Sequence, residues 1–153
     1  MKLAEALLLR ADCQKRIEQL KSRLLGSAKI QEGEQPPEDP QKLIAEIEVV
    51  AAQLVDLIKR INRTNSTTVF EDGKTIADAL AERDVLVVRR GVYADLAAFA
   101  ALRQDRITRS EVKYLAVVDV ADVRKQADEL AKSYRELDAR IQEFNWKTEL
   151  LDS

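Results

Sequence analysis

Arginine and asparagine are the residues most able to do chemistry in this chain. Arg103, Arg106, Arg109 and Lys113 punctuate one stretch, with Arg83, Arg89 and Arg90 upstream. A guanidinium fork matches the paired oxygens of a carboxylate or phosphate, so such a cluster suits an anionic small molecule. Asn62 and Asn65 lie just before a β-branched run and offer amides to a ligand or a partner chain. Each group also has a structural reading. Asp84, Asp95, Asp105 and Glu111 are interleaved with the arginines, as in a salt-bridge network, and the two asparagines suit the end of a helix. The candidate ligand-binding set is therefore Asn62, Asn65, Arg83, Arg103, Arg106 and Arg109, with no catalytic residue assigned.

Other chemistries fall away on residue type. The chain has no histidine, which removes His-based triads, His-ligated zinc and the commonest general base. All-α nucleotide pyrophosphatases hold magnesium with Glu-x-x-Glu followed by Glu-x-x-Asp, a set this chain lacks. Asp119 and Asp122 have a similar spacing but stand at a helix start, where capping accounts for them. No metal site and no cofactor are predicted. Gly73, Lys74 and Thr75 resemble the tail of a phosphate loop without its upstream glycine, and a turn followed by a capping threonine explains them. The single cysteine, Cys13, rules out an internal disulfide and falls on an apolar helical stripe, as a small buried hydrophobe would.

These residues must be held by long helices. The chain has 153 residues, enough for one domain with its own core, and its charged residues reach 34% beside 46% hydrophobic ones. Aromatic residues are only 5%, so the core must be built from Leu, Ile, Val and Ala. A net charge of -2 gives no bulk attraction to nucleic acid or to anionic membranes, and no run approaches the length of a membrane span. The first residues carry charges within a short apolar run, so no secretory pattern is predicted and the cytoplasm is the expected location.

Leu3, Ala6, Cys13, Ile17, Leu20 and Leu24 predict a first helix over about 3–25. Residues 26–41 hold all three prolines and two of the four glycines and read as a flexible acidic linker. Asp39 and Pro40 then open a second helix with the seam Leu43, Ile47, Val50, Leu54, Leu57 and Ile61. Residues 66–70 favour extended structure, Asp72 and Gly73 mark a turn, and Thr75 with Asp78 caps a third helix over 76–103. That helix is apolar on several faces, which predicts burial on more than one side. Alternation over 112–118 predicts a strand pairing with residues 67–70. Asp119 caps a fourth helix, in which Val120, Val123, Ala127, Leu130, Tyr134, Leu137, Ile141 and Phe144 keep a coiled-coil spacing. If it continued to Leu151 it would outrun the first helix by about 12 Å at 1.5 Å per residue. A second copy of the chain is the expected cover, so a homo-oligomer, most simply a dimer, is predicted.

With these residues in view, the chain resembles small bacterial proteins, common in actinobacteria, often labelled septicolysin. The resemblance runs nearly end to end, through residues 1–12, 61–65, 79–84, 103–106, 110–113 and the closing Asn145, Trp146, Thr148, Glu149 and Leu150. It implies a bacterial helical protein without established site residues, and its label implies a cytolysin. The residues themselves show no membrane-inserting hairpin and no tryptophan-rich tip. The expected fold is mainly α: an antiparallel bundle of four long helices in one domain, with a small two-stranded β-ribbon. The leading functional expectation is a cytoplasmic, oligomeric structural or interaction protein. The alternative is a binding protein or enzyme for an anionic small molecule. Nucleic acid and membranes are not expected partners.

Overall fold

A computed structural model describes residues 1–102 and 113–152. Among them the chain forms four helices and one two-stranded sheet: α1 (Leu3–Gly26), α2 (Pro40–Thr67), β1 (Val69–Glu71), β2 (Lys74–Thr75), α3 (Ile76–Ala100) and α4 (Val120–Lys147). The fold is mainly helical. It divides into two compact units, one of residues 1–69 with 143–153, the other of residues 70–142.

In the first unit α1 and α2 form a helical hairpin. Ion pairs of Arg23 with Glu38 and of Arg16 with Glu46 run in opposite chain order, so the helices are antiparallel. The seams behave as their spacing predicts: Leu3, Ala6, Cys13 and Leu20 are buried from α1, and Leu43, Val50, Leu57 and Ile61 from α2. Asp39 caps α2 by accepting the Gln41 amide at 3.0 Å, with Pro40 in the first turn. The connector between the helices is exposed from Ala28 to Gln35.

The end of α2 departs from expectation. Ser66 and Thr67 are helical rather than extended, so α2 runs on past Asn62 and Asn65 and ends at Thr67. The hydroxyls account for this. Thr64 Oγ1 donates to the Arg60 carbonyl at 2.8 Å, and Thr67 Oγ1 to the Arg63 carbonyl at 2.8 Å. Side chains that could have competed with the helix back-bond to it instead.

The second unit begins with the ribbon. A two-stranded ribbon is present, but its strands are β1 and β2, joined directly by Asp72 and Gly73. The expected partner over 112–118 is not a strand at residues 113–118, and residue 112 lies outside the described set. Asp72 (φ 46°) and Gly73 (φ 75°) both take the left-handed conformation of a tight hairpin turn. Closing two residues costs far less chain entropy than closing about forty.

Thr75 and Asp78 form the expected capping box of α3. The Asp78 amide donates to Thr75 Oγ1 at 3.2 Å, and the Thr75 amide donates to Asp78 Oδ2 at 2.8 Å. The Thr75 amide foremost, and then the Thr75 hydroxyl, which donates to the same Oδ2 at 2.9 Å, hold the Asp78 carboxyl below its ordinary range. Asp119 caps α4 through the Asp122 amide at 3.2 Å. Helix α3 packs on the stretch of α4 in this unit through Ala79, Leu137 and Ile141, with Phe70, Leu80 and Leu86 against them. Arg140 bonds Glu71, and Lys74 pairs with Glu82 at 2.7 Å.

Candidate interaction surface

The structure distributes the candidate ligand-binding residues. Asn62 and Asn65 lie on α2 in the first unit, one exposed and one half-buried. Arg83 lies on α3 in the second unit, where its guanidinium donates to Asp138 Oδ1 at 2.9 Å and sits 3.5 Å from Asp84 Oδ1. Arg103, Arg106 and Arg109 lie outside the described residues.

The residues beside Asn62 and Asn65 have a role the sequence reading missed. Arg60, Arg63 and Thr64 recur three and four residues apart, on one face of α2, and that face receives the C-terminal tail. Arg60 donates to the Leu151 carbonyl at 3.2 Å and to the Asp152 carboxylate at 2.9 Å. Thr64 is fully buried and accepts the Leu151 amide at 3.0 Å. The same tail pairs with the start of α1. The Leu3 amide donates to the Thr148 carbonyl, and the Leu150 amide to the Met1 carbonyl, each at 2.8 Å. Lys2 and the terminal ammonium pair with Glu149. The Lys2 hydrogen bond is the main reason the Glu149 carboxyl lies below its ordinary range, with the terminal ammonium next. This clasp explains why α4 ends at Lys147 and does not reach Leu151: the tail is used as extended chain.

Helix α3 holds the largest surprise. Its apolar residues were expected to be buried on several sides, but among them only Ile76, Ala79 and Ala97 are buried. Val85, Val88, Val92, Leu96 and Phe99 are exposed, Val92 at 62% and Phe99 at 78%. At 100° per residue these five fall on one stripe about 80° wide. The stripe is turned well away from the face carrying Ala79, Leu86 and Ala97. Trp146 is also half exposed, in the first unit. Scattered apolar residues on a surface are ordinary, whereas these five are ordered along four turns of one helix.

Beside this stripe, two grooves run between α3 and α4. One, of about 470 Å³, is lined by Ala81, Glu82, Val85, Leu86, Arg89 and Leu137. The other, of about 340 Å³, contains Arg89, Tyr93, Gln126, Glu129, Leu130 and Ser133. Among the described residues no group of His, Cys, Asp or Glu could hold a metal ion, and no helix is long and apolar enough to cross a membrane.

A helical chain with a capped hairpin at its centre and an uncovered apolar helix face has close relatives. The chain belongs to DUF6847, a family of unknown function, whose profile it matches over residues 10–150. It is similar to a functionally unknown conserved protein from Corynebacterium diphtheriae known from a crystal structure. The two are 50% identical, the match covers 99% of each chain, and the TM-score is 0.92. No curated protein matches.

Proposed function

We propose that this protein is a cytoplasmic homo-oligomer with a structural or protein-interaction role, and that the outward face of α3 is its contact surface. The observation that carries the reading is the stripe Val85, Val88, Val92, Leu96 and Phe99, exposed along one face of a helix whose other face already has its core. Leaving that much apolar surface in water is unfavourable by roughly 25 cal/mol per Å², so a partner that covers it gains a matching driving force. This face lies wholly within the second unit. The septicolysin label, with the lysis it implies, forms no part of this reading.

The test is the native mass of the wild type beside Val92→Glu and Phe99→Glu. The expected result is an oligomer for the wild type and a monomer for each variant, with helical content unchanged in both. A wild type that is monomeric at micromolar concentration would sink the reading.

A second reading has its own observation. Arg89 lines both grooves between α3 and α4 and forms no ion pair among the described residues. An anionic small molecule could be held there. A thermal-shift screen over nucleotides, sugar phosphates and carboxylates tests it, and no stabilisation by any anion would count against it.

A further inference from the structure

We infer that the extended strap of residues 148–152 fills, from within the chain, a groove that takes an acidic, leucine-bearing peptide of a partner protein. The groove lies in the first unit and shares no residue with the α3 stripe, so it adds to the interaction reading without depending on that face.

The strap is held as a bound peptide is held. Its main chain forms an antiparallel bridge with the start of α1, where the Leu3 amide donates to the Thr148 carbonyl and the Leu150 amide to the Met1 carbonyl, each at 2.8 Å. From α2, Thr64 Oγ1 accepts the Leu151 amide at 3.0 Å, Arg60 donates to the Leu151 carbonyl at 3.2 Å, and Arg63 to the Asp152 carbonyl at 3.4 Å. Such bonds hold an extended main chain whatever its side chains, and the side chains then supply selectivity. Leu150 points inward and is 6% exposed. Glu149 before it pairs with Lys2, and Asp152 after it pairs with Arg60 at 2.9 Å. The groove therefore reads an acid, a leucine, and a second acid two residues after the leucine.

The strap is also displaceable. Leu150 is its one buried residue, and Glu149, Leu151 and Asp152 are exposed. A segment held by few buried contacts and by exposed hydrogen bonds opens locally, well below the free energy of global unfolding. With the strap out, Arg60 keeps only a 3.7 Å contact to Asp56, and Lys2 only a 3.5 Å bond to the Lys147 carbonyl. Arg63 then has no partner for its guanidinium among the described residues. What remains is a cationic groove with an open strand-pairing edge and a slot for one leucine. An acidic peptide in extended form meets all three needs; an inorganic anion meets only the first. Because the strap competes for the same groups, it is an autoinhibitory contact, and it weakens partner binding by the fraction of time the groove is open.

The probe is a fluorescein-labelled peptide with the sequence of residues 147–152, and the readout is its anisotropy on titration with the full chain. Leu150→Asp is expected to release the strap, to keep wild-type helical content, and to bind the peptide about tenfold more tightly than wild type does. Adding Arg60→Glu to that variant is expected to raise the Kd roughly tenfold, as is replacing both acids of the peptide by their amides. Loss of helical content in Leu150→Asp would show that the strap is part of the core of the first unit, and would overturn the inference. So would a peptide that fails to bind the variant, binds it no better than wild type, or binds regardless of the charge changes. An oligomeric wild type that becomes monomeric in Leu150→Asp would assign the groove to the tail of a second copy, and the partner assignment would fall. The α3 reading is tested separately by the native mass of Val92→Glu and Phe99→Glu, so the two fail independently.

Discussion

Thr64 accepts the Leu151 amide and donates to the Arg60 carbonyl while fully buried. Valine has nearly the same shape but neither function, so Thr64→Val leaves the Leu151 amide without its partner. The expected loss is about 1–3 kcal/mol of unfolding free energy, measured in urea, with Thr64→Ser recovering most of it. Asp78 gives a pH-dependent counterpart. Its carboxyl is held below the ordinary range by the Thr75 hydrogen bonds, so the folded state binds a proton less readily than the unfolded chain. The stability it contributes is present above the ordinary carboxylate pKa and is lost as pH falls through the depressed folded value. The melting-temperature gap between wild type and Asp78→Asn is therefore expected to be full near neutrality and to close in acid. A gap that stays constant down to the lowest pH at which the protein folds would contradict the assignment.

Elements show which signals in the sequence were sufficient. The cap residues Asp39, Thr75 and Asp119 and the seams of α1, α2 and α4 were legible because caps and helical period are local patterns. The Asp72–Gly73 turn was legible too, but its strands were paired wrongly, since alternation over 112–118 suggested a distant partner where the turn had already supplied a near one. The helical end of α2 was not legible, because polar β-branched residues favour strand until their hydroxyls find carbonyls one turn back. Two substitutions follow from these elements. Gly73→Ala places a Cβ at φ 75° and is expected to cost about 1–2 kcal/mol. Asn62→Ala replaces a poor helix former at an exposed interior position of α2 and is expected to stabilise by about 0.5 kcal/mol. Thermal melts of both variants check the pair, and destabilisation by Asn62→Ala would show that its amide has a structural partner.

At the scale of the whole molecule, α3 explains why the candidate site was only partly readable. Apolar periodicity reports that a face avoids water but not what covers it. The valines of α3 suggested burial within the chain, and the structure leaves them exposed. The same blindness applies to charge: Arg83 stood among the candidate ligand residues, while its geometric partner, Asp138, lies 55 residues away. The interaction reading uses what remains, an apolar stripe edged by Asp84, Asp95 and Arg89 on a chain of nearly balanced charge. The measurement that bears on it most directly is sedimentation equilibrium of the wild-type protein across the micromolar range. The expected result is a concentration-dependent mass that rises to twice the 17.3 kDa of one chain. A mass that stays at that of one chain throughout would contradict it.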